Sequence, residues 1–184
     1  MFPIFENLEE EFILNNEQRG NLEKAHHLVS VHQFRDTAFL FQKLAIEMEE
    51  SNHPKWAAIF NSQAAYAFAD SNFEEGALSH ARTALHLFIQ CGMEKRSKNF
   101  YFNIIQVLAN REMKVAMGTL QSEFGEKLGI FESDLTSFLE TKHVSLPSNC
   151  PKCGAPINST EVYWIDDNTA ECNYCGSKIQ TDGR

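Results

Sequence analysis

Residues 34–46 read FRDTAFLFQKLAI and residues 73–85 read FEEGALSHARTAL, so a related phrase occurs twice in the chain, 39 positions apart. The identical positions are Phe34 with Phe73, Ala38 with Ala77, and Ala45 with Ala84. Alanine at a helix crossing lets two backbones approach closely, and an aromatic side chain fills the corner beside the turn. We therefore predict a repeated helical hairpin with a period of 39 residues.

The same helical pattern extends in both directions from this phrase. Between about Gly20 and Leu139, apolar residues recur at intervals of three and four, and Pro54 is the only proline. Residues 51–54 (SNHP) align with residues 90–93 (QCGM), and we interpret both as breaks between hairpins. At the first break we expect Ser51 or Asn52 to cap a helix and Pro54 to occupy its first turn.

The repeat weakens toward its C-terminal end. A fainter third copy is predicted from Glu94 through Phe124, where Glu112 replaces the aromatic residue. A last helix is predicted from about Phe131 to Lys142, and residues 143–149 have the composition of a linker. The predicted organisation is a helical repeat domain over residues 1–142, the linker, and a small domain over residues 150–184.

The small domain contains four cysteines in two copies of one phrase, CPKCGAPI and CNYCGSKI; they are Cys150, Cys153, Cys172 and Cys175. The two C-x2-C pairs are separated by 18 residues, a spacing typical of four thiolates around one tetrahedral metal ion. Gly154 and Gly176 follow the pairs, where the chain needs a positive φ. We predict one structural Zn2+ ion, with iron as the alternative.

Between the cysteine pairs the sequence predicts a β-hairpin. Residues 161–165 (EVYWI) alternate and are rich in strand formers, residues 166–168 form a turn, and residues 169–172 return. The fold class is therefore mainly α, a solenoid-like array of hairpins with a small C-terminal β domain. Tyr163, Trp164 and Tyr174 either form an exposed binding surface or cover the metal site, because so small a domain has almost no other core.

The helical part resembles a tetratricopeptide or SNAP-like repeat over about residues 20–125. The resemblance depends on Phe73-Glu74-Glu75 followed by Ala77, Ala81 and Ala84. The chain departs from the usual pattern in its period, which exceeds the typical value of about 34 residues, and in one extra residue between Phe73 and Ala77. Such arrays form a groove that accepts a helix or an extended peptide, so the resemblance implies a partner protein.

Residues 150–179 resemble a zinc ribbon, in which two knuckles on β-hairpins share one metal ion. This second resemblance implies a fold and not an activity, since ribbons occur in transcription factors, ribosomal proteins, enzymes and scaffolds alike.

The charge of the chain disfavours nucleic acid as its partner. Acidic residues outnumber basic ones by 25 to 16, a formal charge of −9, whereas phosphate contact needs clustered Lys and Arg. The one basic concentration comprises Lys95, Arg96, Lys98, Arg111 and Lys114. We predict that it is either a solvated face or a site that receives an acidic peptide or a partner domain.

The sequence also predicts a cytoplasmic location. The N-terminus lacks the basic region of a secretory signal, and no apolar stretch approaches the length of a membrane span. Cys91 has no cysteine partner once the four ligands are assigned, which indicates a reducing compartment.

An enzyme is the remaining alternative. Glu23 with His26, and Glu140 with His143, have the Glu-x-x-His spacing of di-iron bundles, and rubrerythrin-like proteins carry a C-terminal cysteine site. No phosphate-loop, dinucleotide-binding or H-E-x-x-H motif occurs, so we expect no catalysis. The leading hypothesis is a protein–protein interaction adaptor whose metal ribbon assists. The alternatives are a ribbon factor that docks on a transcription or translation assembly and the di-iron enzyme.

Overall fold

The computed structural model describes residues 14–131 and 145–181. Six helices come first: α1 (Asn16–Ser30), α2 (Phe34–Glu50), α3 (Pro54–Asp70), α4 (Glu74–Gln90), α5 (Glu94–Asn110) and α6 (Lys114–Phe124). A short 3-10 turn, Glu126–Leu128, follows. Within the described ranges, no helix is long and apolar enough to cross a membrane.

Five turns with the same backbone geometry join the six helices. Each turn places a residue in the left-handed region, and these residues stand 20 positions apart: His32, Asn52, Asn72, Gly92 and Glu112. In each turn the next N–H bonds to the carbonyl five residues earlier, as between Phe73 and Phe68 at 2.9 Å. This is the Schellman closure of a helix end. Asn52 is thus the left-handed residue of the turn and does not cap the next helix. The N-cap residue of that helix, His53, makes no side-chain cap bond.

The period of the array is 40 residues, so the prediction of 39 is wrong by one residue. The second helices of the hairpins begin at residues 34, 74 and 114, and 74 − 34 = 40. At this shift the buried positions coincide as Thr37 with Ala77, Phe41 with Ala81, Leu44 with Ala84, Ala45 with Leu85, and Met48 with Phe88. Large and small side chains exchange places between the copies, which hides the true period. Ala38 and Ala77 are both fully buried, but they occupy neighbouring rather than equivalent positions.

Helix α3 forms the centre of the array. Fourteen of its 17 residues are buried, and Pro54 stands in its first turn as predicted. Alanine-rich faces let α2 and α4 pack closely on it. The predicted third hairpin is present as α5 and α6. The predicted last helix lies, apart from Phe131, outside the described residues.

The C-terminal part is a three-stranded antiparallel sheet in the order β1 (Tyr163–Asp166), β2 (Thr169–Glu171) and β3 (Lys178–Gln180). The hairpin predicted between the cysteine pairs is confirmed as β1 and β2. Across the sheet, Tyr163 pairs with Glu171, and Glu171 pairs with Lys178. We refer to residues 150–181 as the ribbon.

Candidate metal centre and its contact with the helices

The two cysteine knuckles have the same backbone geometry. In the first knuckle the Gly154 N–H donates to the Cys150 carbonyl at 2.8 Å, and the Cys150 N–H donates to the Ala155 carbonyl at 2.8 Å. The second knuckle repeats this pair of bonds at 2.9 and 3.0 Å through Gly176, Cys172 and Ser177. Both glycines have positive φ, 73° and 66°, which confirms the prediction made for them.

This geometry brings the four cysteine sulfurs together. All four Sγ atoms lie within 4.8 Å of one another, with Cys150 and Cys175 at 3.7 Å and Cys153 and Cys172 at 3.8 Å. A tetrahedron with metal–sulfur bonds of about 2.3 Å requires sulfur–sulfur distances of about 3.8 Å. The residues therefore fit one metal ion. The four-sulfur geometry suits zinc and iron alike, so it does not identify the metal.

The four sulfurs change one another's pKa in opposite directions: the pKa values of Cys150 and Cys175 are lowered, and those of Cys153 and Cys172 are raised. Hydrogen bonds from the thiols of Cys153, Cys172 and Cys175, in that order, hold the pKa of Cys150 well below its usual range. The Ser177 hydroxyl lies 3.1 Å from the Cys175 sulfur. Three of the four cysteines are buried and Cys153 is half-buried, so an ion held here is shielded from solvent.

Tyr174 stands between two of these cysteines and inserts into the helical array. Only 3% of it is exposed. Its ring stacks on Phe41 of α2, with centroids 6.4 Å apart, and meets the edge of Tyr66 of α3 at 6.5 Å. Its carbonyl oxygen accepts a hydrogen bond from Gln63 Nε2 at 2.6 Å and lies 3.3 Å from His26 Nε2. The metal knuckle is thereby fixed to three helices.

The other end of Tyr174 joins a partly buried ionic cluster. The Tyr174 hydroxyl donates to Asp70, which also pairs with Arg111. Arg111 Nη1 in turn contacts Glu161 Oε1 of the ribbon at 2.8 Å, and Asn110 Nδ2 donates to the same oxygen at 2.9 Å. Burial raises the pKa of Asp70, and Arg111 and Tyr174 act against that rise. The cluster ties the ends of α3 and α5 to the ribbon.

Most ribbon contacts fall on the first helix of each hairpin. They involve His26 and Ser30 of α1, Gln63 and Asp70 of α3, and Asn110 with Arg111 at the end of α5. The approach at α1 is close, because a Cβ atom added to Gly154 would lie 2.7 Å from Ser30 Cβ. One side of the array is therefore covered by the ribbon of the same chain.

This arrangement places two of the predicted partner residues, Tyr174 and Arg111, in contacts within the chain. Tyr174 is buried against the helices, so the three aromatics do not form one exposed surface; Tyr163 and Trp164 are half-buried. Trp164 Nε1 donates to the Ser159 carbonyl at 2.9 Å. Arg111 is held in the ionic cluster and is not part of a free basic face.

The remaining predicted basic residues do not share one face. Lys98 pairs with Glu94 on the surface at 3.2 Å, and Lys114 is exposed at the start of α6. Lys95 and Arg96 instead line a cleft of about 400 Å3 between α5 and the ribbon sheet. The ribbon contributes a third cation, Lys178, to this cleft.

The spacing of residues gave no direct indication of the contact between helices and ribbon. One signal was available: the alanine-rich helix α3 carries Gln63 on its buried surface and Asp70 at its end. Buried polar side chains require partners, and here the ribbon supplies them. The strand pattern of residues 161–165 does not indicate that Glu161 pairs with Arg111.

The proposed di-iron ligands are not assembled in the described part of the chain. There, the four cysteines form the only group of three or more side chains suited to hold a metal ion. His26 faces the Tyr174 carbonyl, and burial lowers the pKa of His26 so that its ring is neutral. Glu140 and His143 lie outside the described residues.

Comparison with known protein families, with curated proteins and with solved structures finds no match to this chain. The geometry of the chain itself shows a helical hairpin array and a four-cysteine cluster suited to a metal ion.

Proposed function

We propose that this protein is a non-catalytic adaptor that holds a partner protein on a surface shared by its helices and its metal ribbon. One observation carries the proposal: Tyr174, placed between two metal ligands, is inserted among α1, α2 and α3. Because the ribbon is anchored in this way, the helices and the ribbon can present residues to a partner as one surface. The helical-repeat resemblance supports the same role.

In this proposal the bound metal is zinc and its work is structural. A four-thiolate site without an open position lacks the vacant coordination place that catalytic zinc needs. The ion would hold the two knuckles, and the knuckles would hold Tyr174 in place. A site of four thiolates fits a reducing, cytoplasmic compartment.

Affinity capture with the full chain tests the proposal. The baits are the wild-type protein, Cys172→Ser, which loses a metal ligand, and Cys91→Ser as a control outside the site. We expect at least one protein to bind the wild type and Cys91→Ser but not Cys172→Ser, and to re-form a stoichiometric complex from purified components.

The identity of the captured protein also distinguishes the adaptor from the alternative role. Capture of polymerase or ribosomal subunits would favour a factor that docks on those assemblies. Failure to reconstitute a complex with any captured protein would count against the adaptor.

A further inference from the structure

The cleft between α5 and the ribbon has two different walls. One wall is a stripe of α5, in which Arg96, Asn99 and Asn103 lie three or four residues apart and share one helix face. The other wall is a row across the sheet, in which Tyr163, Glu171 and Lys178 lie side by side. The cavity of about 400 Å3 falls within the size range of ligand sites.

Three cations surround the cleft without ion pairs. Lys95, Arg96 and Lys178 form no salt bridge with any residue that the structure describes. The protein as a whole carries a formal charge of −9, so a local excess of positive charge is a departure from its general surface. Against the three cations the cleft holds one carboxylate, Glu171, which leaves a local charge of +2 (3 − 1).

The cleft also contains hydrogen-bond acceptors that the described chain leaves unused. Asn103 is 3% exposed, and its Oδ1 atom has no hydrogen-bond partner among the described residues. The Glu171 carboxylate makes no hydrogen bond within the same part of the chain, and the charges of Arg96, Lys178 and Lys95 act on it. A buried acceptor without a partner costs about 1–3 kcal/mol, so a ligand that donates to it gains affinity. The apolar part of the lining is Tyr66, Phe88, Phe100 and Ile165.

We propose that this cleft binds an acidic peptide segment of a partner, with its carboxylates on Lys95, Arg96 and Lys178 and an apolar side chain on the aromatic floor. Backbone N–H groups of the peptide supply the donors that Asn103 and Glu171 lack. This chemistry selects a peptide over a simple anion, because an anion without donors leaves both acceptors unsatisfied. The inference rests on the proposed adaptor function and names the kind of segment that the adaptor recognises.

The test uses an array of ten-residue peptides that combine Asp or Glu with one Leu, Phe or Trp. Two matched arrays carry Asn and Gln in place of the acids, or Gly in place of the apolar residue. The best binders are then measured by fluorescence anisotropy with the full-length, metal-loaded protein. We expect binding only when acid and apolar residue are both present, and weaker binding as salt rises, because exposed charges are screened over about 8 Å at physiological ionic strength.

A pair of charge-matched variants locates the site. Lys95→Glu with Arg96→Glu reverses two cleft cations, whereas Lys98→Glu with Lys114→Glu reverses two cations outside it. Acidic residues in the first turn of α5 suit the helix dipole, so the cleft variant is expected to keep its helix. We expect about a tenfold or greater loss of peptide affinity in the cleft variant and less than about twofold in the control.

Equal losses in the two variants would overturn the proposal, because they would show a general charge effect. Absence of acidic-peptide binding to the wild type would also overturn it. If affinity capture still gave a reconstituted partner complex, the adaptor function would stand and its surface would lie elsewhere. If neither experiment gave binding, both proposals would fail.

Discussion

The hydroxyl of Tyr174 donates a hydrogen bond to the carboxylate of Asp70, which joins a residue between two cysteines of the cluster to the last residue of α3. Burial, followed by the charge of Asp70, raises the pKa of Tyr174 well above its usual value, so the hydroxyl remains a donor throughout the physiological range. Asp70 also pairs with Arg111. The arrangement of the four-cysteine cluster is therefore linked to the packing of α3 and α5.

The first prediction concerns this hydrogen bond. Tyr174→Phe keeps the ring on Phe41 but leaves Asp70 with one partner fewer, and we expect a loss of about 1–3 kcal/mol in the free energy of unfolding. Urea unfolding followed by circular dichroism measures the change. Tyr163→Phe is the matched control, because Tyr163 is half-buried and its hydroxyl has no hydrogen bond within the described residues. A double-mutant cycle with Asp70→Asn that shows no coupling would contradict the contact.

The second prediction concerns removal of the metal. Each chain is expected to hold one divalent ion, and Cys172→Ser or a chelator removes the folding free energy that the ion supplies to the ribbon. Elemental analysis gives the stoichiometry, and amide hydrogen exchange reports the ribbon. Because Tyr174 then leaves its place among the helices, protection should also fall at Gln63 and at the end of α3. Loss of protection confined to the ribbon would mean that the two parts are not coupled.

The cysteine knuckles and the packing of the helices differ in how far local sequence determines them. The cysteine spacing and the glycines after it predict the knuckles correctly, because four ligands and a positive φ are local requirements. The alignment of Ala38 with Ala77 predicts hairpins but not their period. At equivalent buried positions, a large residue in one copy, such as Phe41, is matched by a small residue in the next copy, Ala81. The contact of ribbon and helices depends on residues far apart, such as Asp70 and Tyr174, and no local pattern encodes it.

The third prediction tests the repeated turn. Gly92 has φ 68° with open space around its missing Cβ, and Glu112 occupies the same place one helix of 17 residues and one turn further on, with φ 56°. A residue other than glycine costs about 1 kcal/mol in this conformation. We expect Gly92→Ala to destabilise the protein and Glu112→Gly to stabilise it, each by about 1 kcal/mol, in thermal unfolding. Changes of the same sign in the two variants would contradict a common turn geometry.

The fourth prediction tests the packing of α4. Ala77 is fully buried, so Ala77→Leu overpacks the array and should cost about 1–3 kcal/mol. Ser79→Leu adds similar bulk at an exposed position of the same helix and is expected to change the stability by less than about 0.5 kcal/mol. Equal melting temperatures of the Ala77→Leu variant and the wild type would refute the assignment of Ala77 to the buried face.

The fifth prediction concerns pH and His80 of α4. The ring stacks on Phe68 at 5.2 Å, and its Nδ1 atom lies 2.7 Å from Asn61 Oδ1, which fits a neutral ring with the proton on Nδ1. Burial lowers the pKa of His80 in the folded protein, so the unfolded chain binds more protons in the window below the ordinary value of about 6.5. The stability that His80 contributes is therefore present above about pH 6.5 and is lost as the pH falls toward the lowered folded-state pKa.

Glu49 is linked to this arrangement, because its Oε1 accepts from Asn61 Nδ2 at 3.0 Å and so holds the amide that faces His80. Burial also lowers the pKa of His26, so His26 contributes a further loss of stability as the pH falls. We expect the melting temperature of the wild type to fall between pH 7.5 and 5.5, and the fall to be smaller in His80→Gln, which retains a donor but does not titrate. An identical pH dependence in the two proteins would show that His80 is protonated as readily in the folded state as in the unfolded chain.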